Sequence, residues 1–100
     1  MYRFTRTATL NNAAYTPMAM NFATEVCGYL NKTYKLNMKV GMEMFGDLKL
    51  YWQFEVDSLE NLAAVNTKLM QDKTYWAMLD KTKEIWVHGS LKDTVVNFQV

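Results

Sequence analysis

Between residues 36 and 56 apolar and polar side chains alternate. Leu36, Met38, Val40, Met42 and Met44 fall on one side, with Asn37, Lys39, Gly41, Glu43 and Phe45 on the other. Gly46-Asp47 interrupts the run. The alternation then resumes with Leu48, Leu50, Trp52, Phe54 and Val56 against Lys49, Tyr51, Gln53, Glu55 and Asp57. A period of two is strand spacing. Glycine accepts positive φ, and aspartate bonds its own backbone in turns. The stretch therefore predicts an antiparallel hairpin with one apolar face that other elements must cover.

The same spacing predicts a first strand over Arg3 to Leu10. Phe4, Arg6, Ala8 and Leu10 share one face; Arg3, Thr5, Thr7 and Thr9 share the other. Thr16-Pro17 reads as a helix start, threonine as N-cap and proline at the first helical position. Met18, Phe22, Val26 and Leu30 follow at four-residue spacing, which predicts an amphipathic helix ending near residues 32–35. Gly28 inside it costs up to about 1 kcal/mol against alanine, and such a glycine often marks close approach of another backbone. Ser58 caps a second helix carried by Leu59, Leu62, Ala63, Asn66, Leu69 and Met70. A break is expected over Gln71 to Thr74, where Asp72 or Thr74 caps a further helical piece running through Tyr75, Leu79, Thr82 and Trp86. His88-Gly89-Ser90 closes the helical region. Asp93 to Val100 is a last strand, with Val96, Phe98 and Val100 toward the core and Val95, Asn97 and Gln99 opposite.

The order strand, helix, strand, strand, helix, strand predicts an α+β fold. It is the ferredoxin-like βαββαβ arrangement, a four-stranded antiparallel sheet with both helices on one face. The second face is then bare. An antiparallel sheet can leave such a face in water, but Phe45, Tyr51 and Val95 among polar neighbours also suit a mixed dimer interface. Thr5, Thr7, Glu43, Tyr51, Gln53 and Asn97 are the candidate interface residues.

Composition narrows the function classes. The 100 residues form one expected domain, 1–100, and half of them are hydrophobic, which argues against disorder. A net charge of +1 gives no reason to expect nucleic acid or an anionic membrane as partner. The lone cysteine, Cys27, excludes an intrachain disulfide and a multi-cysteine zinc site, and fits a reducing, cytoplasmic setting. No apolar run approaches the roughly 20 residues of a membrane span, and no signal peptide is visible ahead of the first strand. The eight methionines read as adaptable core filler rather than a ligand surface.

Three stretches carry a family resemblance: Ser58-Leu59-Glu60-Asn61-Leu62, then Leu69 through Leu79, then His88-Gly89-Ser90-Leu91-Lys92-Asp93-Thr94. With the strand order and length, they resemble the dimeric α/β-barrel superfamily, in particular its NIPSNAP-like and related small uncharacterised members. Those members usually read Asp-Pro before the tyrosine and Pro-Gly-Ser before the last strand, where this chain has Asp72-Lys73 and His88-Gly89-Ser90. The resemblance implies two sheets packed face to face in a homodimer with helices outside. Its superfamily spans cofactor-independent monooxygenases, haem-degrading and haem peroxidase-like enzymes, isomerases and proteins of no known activity, and fold does not select among them. The haem-degrading branch pairs an asparagine on the first strand with a tryptophan on the third and a histidine on the second helix. Trp52 matches the tryptophan, but Asn11 and Asn12 lie beyond the first strand and His88 past the helix, so that site does not transfer.

The candidate ligand-binding residues are Arg6, Trp52, Tyr75, Trp76, Trp86 and His88. Arg6 is in phase with apolar neighbours, so its guanidinium enters the space between sheet and helices unless it snorkels or a bulge turns it outward. A buried cation needs a partner, and Glu25 on the first helix is the one expected. Arg6 would then anchor a carboxylate or enolate. Trp52, Tyr75, Trp76 and Trp86 either line an aromatic pocket or form plain core. His88, the only histidine, is a possible base or an axial ligand, or a structural residue near a helix end. Glu43 and Glu55 share a sheet face and suit either acid–base work or pairing with Lys39, Arg3 or a dimer mate. Cys27 on a helix shoulder is expected to be inert. No metal cluster, phosphate loop or catalytic triad is legible, so no metal or cofactor is expected. The readings left are a homodimer binding a small apolar or aromatic molecule between sheet and helices, a cofactor-independent monooxygenase- or isomerase-like enzyme, and an interaction module using the polar sheet face.

Overall fold

The structure, a computed structural model, describes residues 1–99. The chain runs β1 (Tyr2–Thr9), a 3-10 turn (Ala13–Tyr15), α1 (Thr16–Tyr34), β2 (Lys39–Met42), β3 (Lys49–Val56), α2 (Leu59–Met70), α3 (Lys73–Asp80) and β4 (Lys92–Asn97). The strands form one sheet in the order β2-β3-β1-β4, every neighbouring pair antiparallel. This is the ferredoxin-like α+β arrangement expected from the order of elements.

Register sorts the side chains into cross-strand rows, because directly opposed residues point to the same face. On the helix-bearing face one row reads Met42, Leu50, Ala8; the next reads Val40, Trp52, Arg6, Asp93; the third reads Phe54, Phe4, Val95. The apolar stripe of α1, Ala19, Phe22, Ala23, Val26 and Leu30, is buried in one cluster with Leu50, Trp52 and Phe54. α2 behaves differently. It buries no residue, and only Leu62, Val65 and Leu69 lie partly covered against the core. β4 is exposed along its whole length. The core therefore sits under α1, and the side under α2 stays loosely filled.

Several expectations change. Thr16 is not the N-cap of α1. Tyr15 holds that position without a side-chain bond, because the preceding 3-10 turn is capped instead by Asn12, whose Oδ1 accepts from the Ala14 amide at 2.8 Å. β2 is only four residues long. The Asn31 side chain takes both backbone groups of Met38: Oδ1 accepts from its amide at 2.6 Å and Nδ2 donates to its carbonyl at 3.0 Å. With Lys35 and Asn37 in the left-handed region, this segment is tied to α1 rather than to the sheet, although Leu36 and Met38 are buried as expected. Met44 and Phe45 are almost fully exposed at the hairpin tip, so Met44 leaves the apolar face.

α2 and α3 break as expected, with Ser58 and Asp72 as N-caps. The helical region, however, stops at Asp80 rather than continuing to His88. Successive three-residue bonds, Thr82 to Leu79, Lys83 to Asp80 and Ile85 to Thr82, tighten the chain and turn it back to the end of β1. There Asn11 donates to Ile85 and Val87 to Thr9, both at 2.8 Å.

β4 has the opposite phase to the one expected. Asp93 lies across from Arg6 and Val95 across from Phe4, so Val95 and Asn97 belong to the helix-bearing face. Val96 lies opposite Arg3 on the bare face, and the Arg3 guanidinium sits 4.7 Å from the Phe98 ring centre. The Arg6–Asp93 pair fixes this register, since a slip of one residue would send Asp93 to the other face. Val100, expected to end the strand, lies outside the described residues. Among those residues no helix is long and apolar enough to cross a membrane.

Gly28 does not mark a close approach either. A Cβ there would meet nothing within 4 Å. Gly28→Ala is expected to stabilise the protein by about 0.5–1 kcal/mol by removing backbone freedom from the unfolded chain. A higher urea midpoint with an unchanged slope is the expected readout.

Candidate functional site

The loose side under α2 is a cavity of about 560 Å³, within the roughly 300–1,000 Å³ common for small-molecule sites. Its floor is the helix-bearing face of β1 and β3; its walls come from Leu59, Leu62 and Leu69 of α2, Phe22, Val26 and Leu30 of α1, Tyr75 and Leu79 of α3, and the segment from Trp86 to Val95. The lining is mostly apolar because all three cross-strand rows present hydrophobic side chains there, except at Arg6, Trp52 and Asp93.

Arg6 enters the space between sheet and helices, as its phase requires. Its partner is Asp93, not Glu25, which is exposed on α1. The Arg6 Nε donates to Asp93 Oδ1 at 2.7 Å and Nη2 to Oδ2 at 2.8 Å, a two-pronged pair. Nη1 donates to the Tyr75 Oη at 3.0 Å. The Asp93 hydrogen bond raises the guanidinium above its ordinary value despite the opposing effect of burial. Asp93 was missed in the sequence because its strand was read in the other phase. The signal available was Arg6 itself: a cation on the apolar face calls for an acid on a neighbouring strand, and Asp93 is the acid of β4.

Trp52 is 7% exposed and lies between Arg6 and Val40 in the same row. Its Nε1 has no hydrogen-bond partner among the described residues. Trp86 reaches the cavity from the returning segment, where it bridges to Leu10. Its ring centre is 5.8 Å from that of Trp52 and 6.0 Å from that of Phe22. The cavity thus gathers four of the candidate ligand-binding residues: Arg6, Trp52, Tyr75 and Trp86. Trp76 and His88 stand apart from it. Trp76 follows Tyr75 on the outer side of α3 and is exposed, and His88 is exposed in the return segment.

The bare face carries Thr5, Thr7, Tyr51 and Gln53 from the candidate interface, opposed in register as Thr5–Gln53 and Thr7–Tyr51. Glu43 accepts from the Tyr51 Oη at 2.5 Å, and Glu55 pairs with Arg3 at 3.1 Å. Glu43 and Glu55 flank the β2–β3 pair at opposite ends, six residues apart along β3, or about 20 Å. They form no acid–base pair. Asn97 has left this face with the rest of its strand phase. Cys27 donates to the Met38 carbonyl at 3.0 Å, and burial pushes its thiol up, so it is not activated. Among the described residues no three His, Cys, Asp or Glu side chains gather to hold a metal.

One polar cluster outside the cavity fixes α3. Asp72 Oδ1 caps the Tyr75 amide at 3.0 Å and both carboxylate oxygens accept from Tyr29 Oη, at 3.0 and 2.8 Å; Tyr34 also donates to it. The Tyr34 hydrogen bond, then the Tyr75 amide, hold the Asp72 carboxyl below its ordinary value, and the same bond pushes the Tyr34 phenol up to about 12. A depressed acid stabilises the fold above the unfolded-state value of about 3.9, and that contribution is lost as pH falls below it. The raised phenol contributes below about pH 10 and loses its contribution as pH climbs toward its folded value. Asp72→Asn should flatten the acid limb of a stability–pH curve; an unchanged limb would place the acid sensitivity elsewhere.

No protein-family model matches the chain, and no curated protein matches it. Solved structures do. An uncharacterised NIPSNAP domain protein from Burkholderia xenovorans superposes with a TM-score of 0.81 at 15% identity, covering 98% of this chain and 94% of that one. This chain has the fold of the NIPSNAP proteins. A NIPSNAP family protein from Agrobacterium tumefaciens gives 0.78 at 13% identity over 96% and 90% of the two chains. An antibiotic biosynthesis monooxygenase-like protein from Deinococcus radiodurans gives 0.74 at 13% identity over 100% and 94%. The NIPSNAP-like, ferredoxin-like expectation is met at the level of fold.

Proposed function

We propose that the protein is a homodimer that binds a small apolar or aromatic molecule between the sheet and α2. The observation that carries this is the cavity: α2 leaves its apolar side partly unfilled above a floor of aromatic rings. A chain that needed only stability would close that space, since dispersion contacts are forfeited along every unfilled wall. The dimer half of the proposal rests on the bare sheet face, where Tyr51, Val96 and Phe98 sit among threonines without a covering element.

Native mass spectrometry of the protein purified from a cell extract tests both halves. The expected species is a dimer carrying an added small mass; a bare monomer refutes the proposal. For the interface, Tyr51→Arg is expected to yield monomers or insoluble protein, because its charge would be desolvated between the sheets. An unchanged dimer by sedimentation would move the interface to another surface.

A second reading, a cofactor-independent monooxygenase- or isomerase-like enzyme, draws on the Arg6–Asp93–Tyr75 chain, which places ionisable groups in an apolar pocket. It has less support. Asp93 is occupied by Arg6, and His88 and both Glu43 and Glu55 lie away from the cavity, so among the described residues no free base faces a substrate.

A further inference from the structure

α2 is held differently from the other two helices. Directional bonds fix α1: Asn31 takes both backbone groups of Met38, and Tyr29 and Tyr34 donate to Asp72. α3 is fixed by Tyr75, which accepts from Arg6, and by Asp72 at its N-cap. Around α2, Ser58 and Thr67 bond only within the helix and its cap. Among the described residues no hydrogen bond or ion pair joins a side chain of α2 to the sheet or to another helix. What docks it is the partly covered row of Leu62, Val65 and Leu69. Apolar burial is non-directional, so such a surface can slide without breaking a bond. The helix moves as a rod of 12 residues, about 18 Å long. Its hinges are the points where the backbone leaves the helix, at Ser58 and at Gln71.

Residues that line the cavity and remain exposed mark its opening. On α2 they include Leu59, Ala63 and Asn66; on the other side they include Val87, Leu91 and Val95. The opening therefore lies between α2 and residues 87–95. Its lips are largely apolar and stand in water, with Leu59 53% and Leu91 60% exposed. A shift of α2 toward β4 would withdraw both lips from solvent. An empty cavity gives that shift little to gain, because α2 would close over unfilled space and forfeit contacts along its inner face. A bound apolar molecule fills the space and meets α2 from below. It therefore binds the closed form better than the open one, as a shift of population requires.

We propose that α2 is a lid, which moves toward β4 over an occupied cavity and closes Leu59 against Val87, Leu91 and Val95. This rests on the binding reading above and adds how the site is shut.

The test uses 2-ethylnaphthalene as probe, titrated into protein carrying ¹³C-labelled Leu and Val methyl groups, with binding followed by calorimetry. In the free protein no nuclear Overhauser effect is expected between the Leu59 methyls and those of Val87, Leu91 or Val95. At saturation at least one such effect should appear. At a hundredfold excess of free probe over its Kd, amide hydrogen exchange across residues 62–70 should slow at least tenfold, since opening of α2 then requires release of the probe. Leu91→Asp alters an exposed residue and puts a charge on a lip that closure would bury. At equal saturation that variant is expected to lose the methyl contact and most of the slowing. Binding of the probe without the methyl contact overturns the lid and leaves the cavity a binding site. A contact already present in the free protein, or one retained in Leu91→Asp, overturns ligand-driven closure in the same way. Failure of the probe to bind overturns the binding reading and this inference with it.

Discussion

Leu50→Ala is expected to cost the fold about 3–4 kcal/mol, within the range of about 2–5 measured for large-to-small changes in well-packed cores. Leu50 is fully buried, with relative exposure of 0%. It sits on a central strand between Met42 and Ala8, under the stripe of α1. Its surroundings are anchored on both sides, by the sheet ladder below and by a 19-residue helix above, so they cannot collapse into the space it leaves. For a domain whose total stability is about 5–15 kcal/mol, the loss is a large share of the whole. In urea the midpoint should fall steeply with little change of slope. Leu62→Ala provides the contrast. Leu62 is on α2, half-buried and at the cavity wall, and its loss should cost about 1 kcal/mol, because part of its contact surface is already missing. Equal costs at the two sites would mean that α2 packs as tightly as α1, and the cavity would not survive in solution.

Asp93→Ala should do two things at once. It leaves Arg6 without its counter-charge, in a site where the two side chains are 29% and 41% exposed. Removing one member of a fully buried pair costs about 3–5 kcal/mol and of an exposed pair about 0–1, so this partly open pair should cost about 1–2. The larger effect is on recognition. With Asp93 gone, the guanidinium becomes free to grip an anion with two prongs, and 2-naphthoate should bind at least tenfold more tightly than it does to the unaltered protein. The Arg6→Ala/Asp93→Ala double variant should lose that gain, and the two stability effects should add to less than their sum, as expected for residues in direct contact. If naphthoate affinity stays flat in Asp93→Ala, Arg6 is not accessible from the cavity.

The sheet was legible because the period-two pattern at Leu48 to Val56 is unbroken and the one at Phe4 to Leu10 is broken only by Arg6. Burial then leaves one choice of face. The last strand was misread for a physical reason. Val95, Val96 and Phe98 offer apolar residues to both faces, and hydrophobicity alone cannot choose between them; an ion pair does. The end of α3 was likewise hidden. Thr82, Ile85 and Trp86 keep helical spacing by accident, while the chain is turned by backbone bonds that no side-chain pattern records. Of the candidate site, Arg6, Trp52, Tyr75 and Trp86 were identifiable as residue types on apolar faces. His88 and Trp76 were chosen for their chemistry and are on surfaces that the pocket does not reach. Asp93, the residue that sets the charge of the site, could be found only by asking what an inward-facing arginine requires.

The edge-to-face contact of Trp52 and Trp86 has a consequence for light as well as for packing. At 5.8 Å between ring centres and 66° between planes, the two indoles are close enough for their excited states to mix, so the wall of the cavity is chiral to near-ultraviolet light. Trp76, 45% exposed on α3, stands outside that pair and is expected to emit at longer wavelength, as a solvent-exposed indole does. Two indole signals are therefore expected: a blue, optically active one tied to the cavity and a redder one from Trp76, whose ring meets the cavity only through Tyr75, 5.6 Å away.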